Sequence, residues 1–117
     1  MSEATAAGRP NVPPQPPRTL KALREALELL CPTALPQFDR EAADAMSRAR
    51  TQLAATPMHQ MLDQWAHRVA AERLGTARRM DELVQQMEAA ESMEAVRPLL
   101  AELRQLQDEA EAEAGRA

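Results

Sequence analysis

The stretch TPMHQMLDQWAHRVAAERLG, residues 56–75, decides the fold class. Met58, Met61, Leu62, Trp65 and Val69 fall at the i, i+3, i+4, i+7 and i+11 positions of one helical face, so the stretch predicts an amphipathic helix. Thr56-Pro57 supplies its start, because a proline in the first turn gives up an N–H that has no intrahelical partner there. Gly75 supplies its stop, because glycine takes the left-handed terminal conformation without a steric penalty. Trp65, the single tryptophan, lies within the apolar stripe and is expected to anchor the core.

The same period continues on both sides. Upstream, Thr19 is placed to cap a helix with Leu20, Leu23, Leu27 and Leu30 on one face, and Pro32 ends it. Leu35-Pro36 opens a second helix with Phe38, the second core anchor, and Ala42, Ala45, Met46, Ala49 and Leu53 on one side. Downstream, Thr76 precedes Met80, Leu83, Val84 and Met87, and Ser92 precedes Val96, Leu99, Leu100, Leu103 and Leu106. Pro98 then has to sit in the first turn of that last helix or mark its true start, or the two segments run on as one kinked helix. The chain has no isoleucine or tyrosine and only 4 Val and 6 Thr to supply β-branched side chains, which excludes a sheet-built fold. The expectation is an all-α fold, a small bundle of four or five helices behind a disordered Pro-rich N-terminal tail.

Three regions follow. Residues 1–18 carry Pro10, Pro13, Pro14, Pro16 and Pro17 and no apolar period, and read as a disordered, partly polyproline II tail whose PxxP spacing is mostly that of a plain linker. Such a tail buries nothing, so deleting residues 1–17 is expected to leave the stability unchanged. Residues 19–107 form the helical domain. Residues 108–117 form an acidic C-terminal tail that frays, because Glu109 to Ala114 alternate without a large apolar side chain.

Several function classes drop out. No run approaches a membrane span, no secretory signal opens the chain, and the one cysteine, Cys31, rules out an internal disulfide, which together favour a cytoplasmic protein. Cys31, with no second thiol or nearby histidine, reads as a buried small hydrophobe. With 3 Gly and no phosphate loop, dinucleotide fingerprint or nucleophile elbow, neither an enzyme nor a cofactor is expected. His59, Asp63 and His67 share a helix face at i, i+4 and i+8, but the two imidazoles stand about 12 Å apart along the axis, too far for one metal ion. Arg68, Arg73, Arg78 and Arg79 surround Gly75, and Arg48 and Arg50 close the second helix. This basic patch is diluted by Asp63, Glu72 and Asp81, which points away from nucleic acid and leaves a weak DNA-binding regulator as an alternative.

Residues 81–117 hold 3 basic and 10 acidic side chains, a net charge of −7. The seam of Val96, Leu99, Leu100, Leu103 and Leu106 beside Glu94 and Glu102 suits a groove on a basic protein, the seam giving affinity and the carboxylates steering. Of 52 hydrophobic residues 24 are alanine, so the larger side chains are few for five helices, and six methionines near the apolar faces suit a partner surface as well as a core. The leading expectation is therefore a non-catalytic protein-protein interaction module, with a homo-oligomeric scaffold closed through the same seam as the alternative. Truncation after Glu91 is expected to leave a folded body that no longer binds.

Thr19 to Leu30, the run Phe38-Asp39-Arg40-Glu41 followed by Ala45, and Met58 to Ala70 around Trp65 together resemble a family of short helical actinobacterial proteins with a domain of unknown function. The resemblance covers about residues 19–80 and carries no catalytic residue. It implies a small antitoxin-like partner protein of the kind found in toxin-antitoxin pairs, and the acidic extension after Leu83 departs from its pattern.

Overall fold

The computed structural model describes residues 12–116, and among these the fold is all-α with five helices and no strand. The helices are α1 (Leu20–Leu30), α2 (Leu35–Gln52), α3 (Thr56–Leu74), α4 (Ala77–Ala89) and α5 (Met93–Ala114), with a short 3-10 turn at Pro32–Ala34. Thr19 caps α1 by accepting from the Ala22 N–H at 3.1 Å, and Leu23, Ala26 and Leu27 are its buried face. α3 is the central helix. α1 and α2 pack on it from one side and the α4–α5 hairpin from another, with no contact between the two flanking pairs.

The centre of the larger core is an edge-on pair. Phe38 of α2 and Trp65 of α3 meet with centroids 5.2 Å apart at 84°, an arrangement that sets the positive edge of one ring against the negative face of the other. Both rings are buried, and the indole N–H donates to Glu41 Oε1 at 2.7 Å, so the one polar atom of Trp65 is satisfied inside the packing.

α2 and α3 end in the same way with different residues. At the end of α3, Gly75 takes φ 78°, and the N–H groups of Gly75 and Thr76 reach the Glu72 and Ala71 carbonyls at 3.2 and 2.9 Å, the paired bonds of a Schellman motif. At the end of α2 the left-handed position falls to Leu53, φ 54° and ψ 45°, with the matching bonds from Leu53 to Arg50 and from Ala54 to Ala49. Leu53 is therefore turned away from the inner side of α2 where the period placed it, and it is 91% exposed.

Residues 12–18 and 108–116 differ from the sequence expectation. Residues 1–11 of the expected tail lie outside the described residues. Residues 12–18 form an extended strap on α3: Pro16 is buried, the Gln15 side-chain amide donates to the Ala66 carbonyl at 3.1 Å, and the Pro13 carbonyl accepts from Arg73 Nε at 2.7 Å. At the other end, α5 runs on to Ala114 and does not fray after Asp108. Ala110, Glu113 and Ala114 continue the seven-residue seam of Val96, Leu103 and Leu106, and the two alanines join the core cluster that contains Ala66, Ala70 and Ala71 of α3. Small side chains on both helices permit a close approach, so burial is reached without a large apolar residue.

This docking also places a charge pair indoors. Arg73 and Glu113 are the only charged side chains among the described residues that are buried, and they bond to each other. The second carboxylate oxygen of Glu113 takes Arg116. One junction thus ties together the strap, the end of α3 and the end of α5. Truncation after Glu91 removes Glu113 from Arg73 and uncovers the alanine face of α3, so the fold predicts a destabilised body after that cut.

Candidate functional site

α4 and α5 form a hairpin rooted on α3 through Ala77, Ala110 and Ala114, and its turn end is the arm. Ala90 breaks the helix with extended backbone (φ −70°, ψ 145°), and Ser92 caps α5 by accepting from the Ala95 N–H at 3.1 Å, so the two segments are distinct helices. α5 begins at Met93, five residues ahead of Pro98, which is an interior position; the proline is exposed, and it has no N–H to continue the helical ladder. Arg79 of α4 clamps α5 through two bonds to Glu102, at 2.7 and 2.8 Å, and this pairing holds the Glu102 carboxyl below its usual range and the guanidinium above its own.

Leu83 of α4 and Leu103 of α5 are the buried large apolar residues of the arm. Between these two positions no residue is buried. Met87, Val96, Leu99 and Leu100 are half-buried, Val84 is 40% exposed and Met93 is 68% exposed. Glu88, Glu91 and Glu94 stand exposed around this apolar strip, with Arg97 as the one cation in the segment 84–102. The radius of gyration, 15.8 Å, exceeds the about 13 Å of a compact chain of this size, in keeping with an arm that extends from the body.

Of the residues expected to contact a partner, Leu103 is spent inside the arm and Glu102 is held by Arg79, while Val96, Leu99, Leu100 and Leu106 keep part of their surface and Glu94 is fully outside. Phe38 and Trp65 lie together in the core on the far side of α3.

The other sequence candidates are dispersed or already engaged. Arg68 pairs with Glu72 at 3.0 Å, Arg73 with Glu113 and Arg79 with Glu102, so three of the four arginines around Gly75 face carboxylates of the same chain and the basic patch is largely neutralised. Arg48 is likewise set 3.0 Å from Asp44. Asp63 is taken by Arg18 of the strap, His59 is exposed, and no group of three metal-type ligands occurs among the described residues. Cys31 is half-buried against the core, with Sγ 3.6 Å from Thr33 Oγ1 and 3.9 Å from an Arg68 nitrogen.

The sequence reading missed a cleft of about 310 Å³ at the root of the arm. Its floor is Ala71 of α3, Ala77 and Met80 of α4 and Ala110 of α5, and its rim is His67, Arg68, Asp81, Gln107 and Glu111. It exists because alanines meet where three helices diverge. The signal lay in the seam itself, which carries on through Ala110 and Ala114 once small residues are counted as apolar.

No helix among the described residues is long and apolar enough to cross a membrane. No curated protein and no solved structure matches the chain. A family of unknown function, DUF6247, matches residues 11–114, from the strap to the last turn of α5, and the chain belongs to that family.

Proposed function

We propose that the chain is a non-catalytic, antitoxin-like or regulatory interaction module that binds a basic protein partner through the α4–α5 arm. The observation that supports this reading is the stretch of the arm between Leu83 and Leu103, where two helices hold the apolar residues Val84, Met87, Met93, Val96, Leu99 and Leu100 and their own packing leaves each of them at least partly exposed. A helix-lined strip of this kind gives affinity by burial, and its ring of Glu88, Glu91 and Glu94 selects and steers a partner of opposite charge.

A second copy of the chain is the alternative occupant, because the same strip can close on itself about a two-fold axis. The three exposed carboxylates then face their own kind, so salt strengthens a self-pair and weakens a basic partner. The test uses the full-length chain and the variant Met93→Asp/Leu100→Asp as parallel baits in lysate of the native host, at low and high salt. The reading expects a basic protein retained by the first bait, absent from the second and released by salt. Retention of the same protein by both baits overturns it, and a dimer that strengthens with salt and is lost in the variant puts a second copy in the partner's place.

A further inference from the structure

We infer that the cleft at the root of the arm receives a single arginine side chain of the basic partner; the inference rests on the reading above and adds a specific contact to it. The size of the cleft limits the occupant. About 310 Å³ lies at the lower end of the about 300–1,000 Å³ that small-ligand sites span, enough for one long side chain and too little for a helix.

Charge then selects among side chains. On the α3 wall, Arg68 is bonded to Glu72 at 3.0 Å and the two cancel. Asp81 on α4 and Glu111 on α5 have no hydrogen-bonded cation among the described residues, and Asp81 meets Arg68 only through longer-range attraction. The charged lining residues Arg68, Asp81 and Glu111 sum to −1, which favours a cation over an anion. The two carboxylates reach the cleft from different helices, α4 and α5, over a lining of alanine and methionine. A guanidinium offers five donors in a flat fork that can reach both walls at once, while its alkyl stem lies on Ala71, Ala77, Met80 and Ala110. An ammonium is a compact, strongly hydrated point charge and satisfies one wall at a time.

The test is a titration of the full chain with Nα-acetyl-arginine amide, followed by amide chemical shifts. The expected result is a saturable shift confined to residues 67–71, 77–81 and 107–111, with a dissociation constant on the order of 1 mM. The lysine analogue should bind several-fold more weakly and the norleucine analogue should not saturate. Asp81→Asn/Glu111→Gln, which removes no ion pair of the fold, should weaken the arginine probe at least tenfold with the remaining spectrum unchanged. Equal binding of the arginine and norleucine probes, or a double variant that binds as the parent does, overturns the inference. The arm variant Met93→Asp/Leu100→Asp should bind the probe normally, so loss of partner capture in that variant and loss of the probe in the cleft variant report on two separate claims.

Discussion

Replacing Glu113 with alanine removes one half of the pair that joins the strap, α3 and α5. Arg73 then remains buried with the Pro13 carbonyl and without the carboxylate that balances its charge. Breaking a buried pair from one side costs about 3–5 kcal/mol, and the lower end applies here because Arg116, which holds the second Glu113 oxygen, is mostly exposed and leaves solvent close by. A loss of about 3 kcal/mol is a large share of the about 5–15 kcal/mol that holds a small domain folded. It corresponds to a fall in melting midpoint of roughly 12 °C, at about 4 °C per kcal/mol. The pair also fixes the pH response. Hydrogen bonding from Arg73, opposed by burial and aided by Arg116, holds the Glu113 carboxyl below its usual range. A depressed carboxyl contributes its stabilisation fully above the unfolded value of about 4.3 and loses it as pH falls through the lower folded value. Urea unfolding followed by circular dichroism at pH 7 and across the acid range should therefore show a steep acid decline in the parent and a shallower one in Glu113→Gln. Replacing both partners with apolar residues, Arg73→Met/Glu113→Leu, should recover most of the loss, since a matched apolar pair is often neutral or better. A loss under about 1 kcal/mol in Glu113→Ala, against the same scale, refutes the claim that this junction closes the fold.

Trp65→Ala should cost about 3–5 kcal/mol, because it empties the centre of the Phe38 contact, and the emission of native Trp65 should be blue-shifted from that of free tryptophan in water. Leu53→Gly should stabilise by roughly 0.5–1 kcal/mol in thermal melts, since relief of a left-handed leucine, roughly 1–2 kcal/mol, exceeds the entropy that glycine adds to the unfolded chain, and an exposed leucine has little burial to lose. Deleting residues 1–17 should now cost about 1–3 kcal/mol, because it removes the Pro13 carbonyl from a buried guanidinium and the buried Pro16 from α3; an unchanged melting midpoint would mean that the strap contributes nothing.

The helices were legible because their punctuation is strong: Thr19, Pro36, Pro57, Gly75 and Ser92 stand at element boundaries in the structure, and the 3.6 period of residues 56–75 is that of a real helix. The ends of the chain were not legible, for a definite reason. A search for large apolar side chains passes over Ala110 and Ala114, yet alanine against alanine lets α5 approach α3 closely and buries both. The prolines of the strap likewise signal an extended backbone without saying whether it packs, and that depends on Arg73, Ala66 and Asp63, between 45 and 60 residues away. The candidate site was visible as an acidic seam. What the sequence did not disclose is how the seam divides: Leu103 and Glu102 serve the arm, Ala110 and Ala114 serve the body, and the span from Val84 to Leu100 keeps its apolar side chains partly exposed.

That division is tested most directly by amide hydrogen exchange of the full chain with and without the basic protein that the proposed function expects it to retain. Protection that appears across residues 84–100 and fades as salt is raised, with the exchange of α1, α2 and the Trp65 region unchanged, is the result the account predicts. Protection on the Met58 to Val69 face of α3 with the arm exchanging as in the free chain would contradict it.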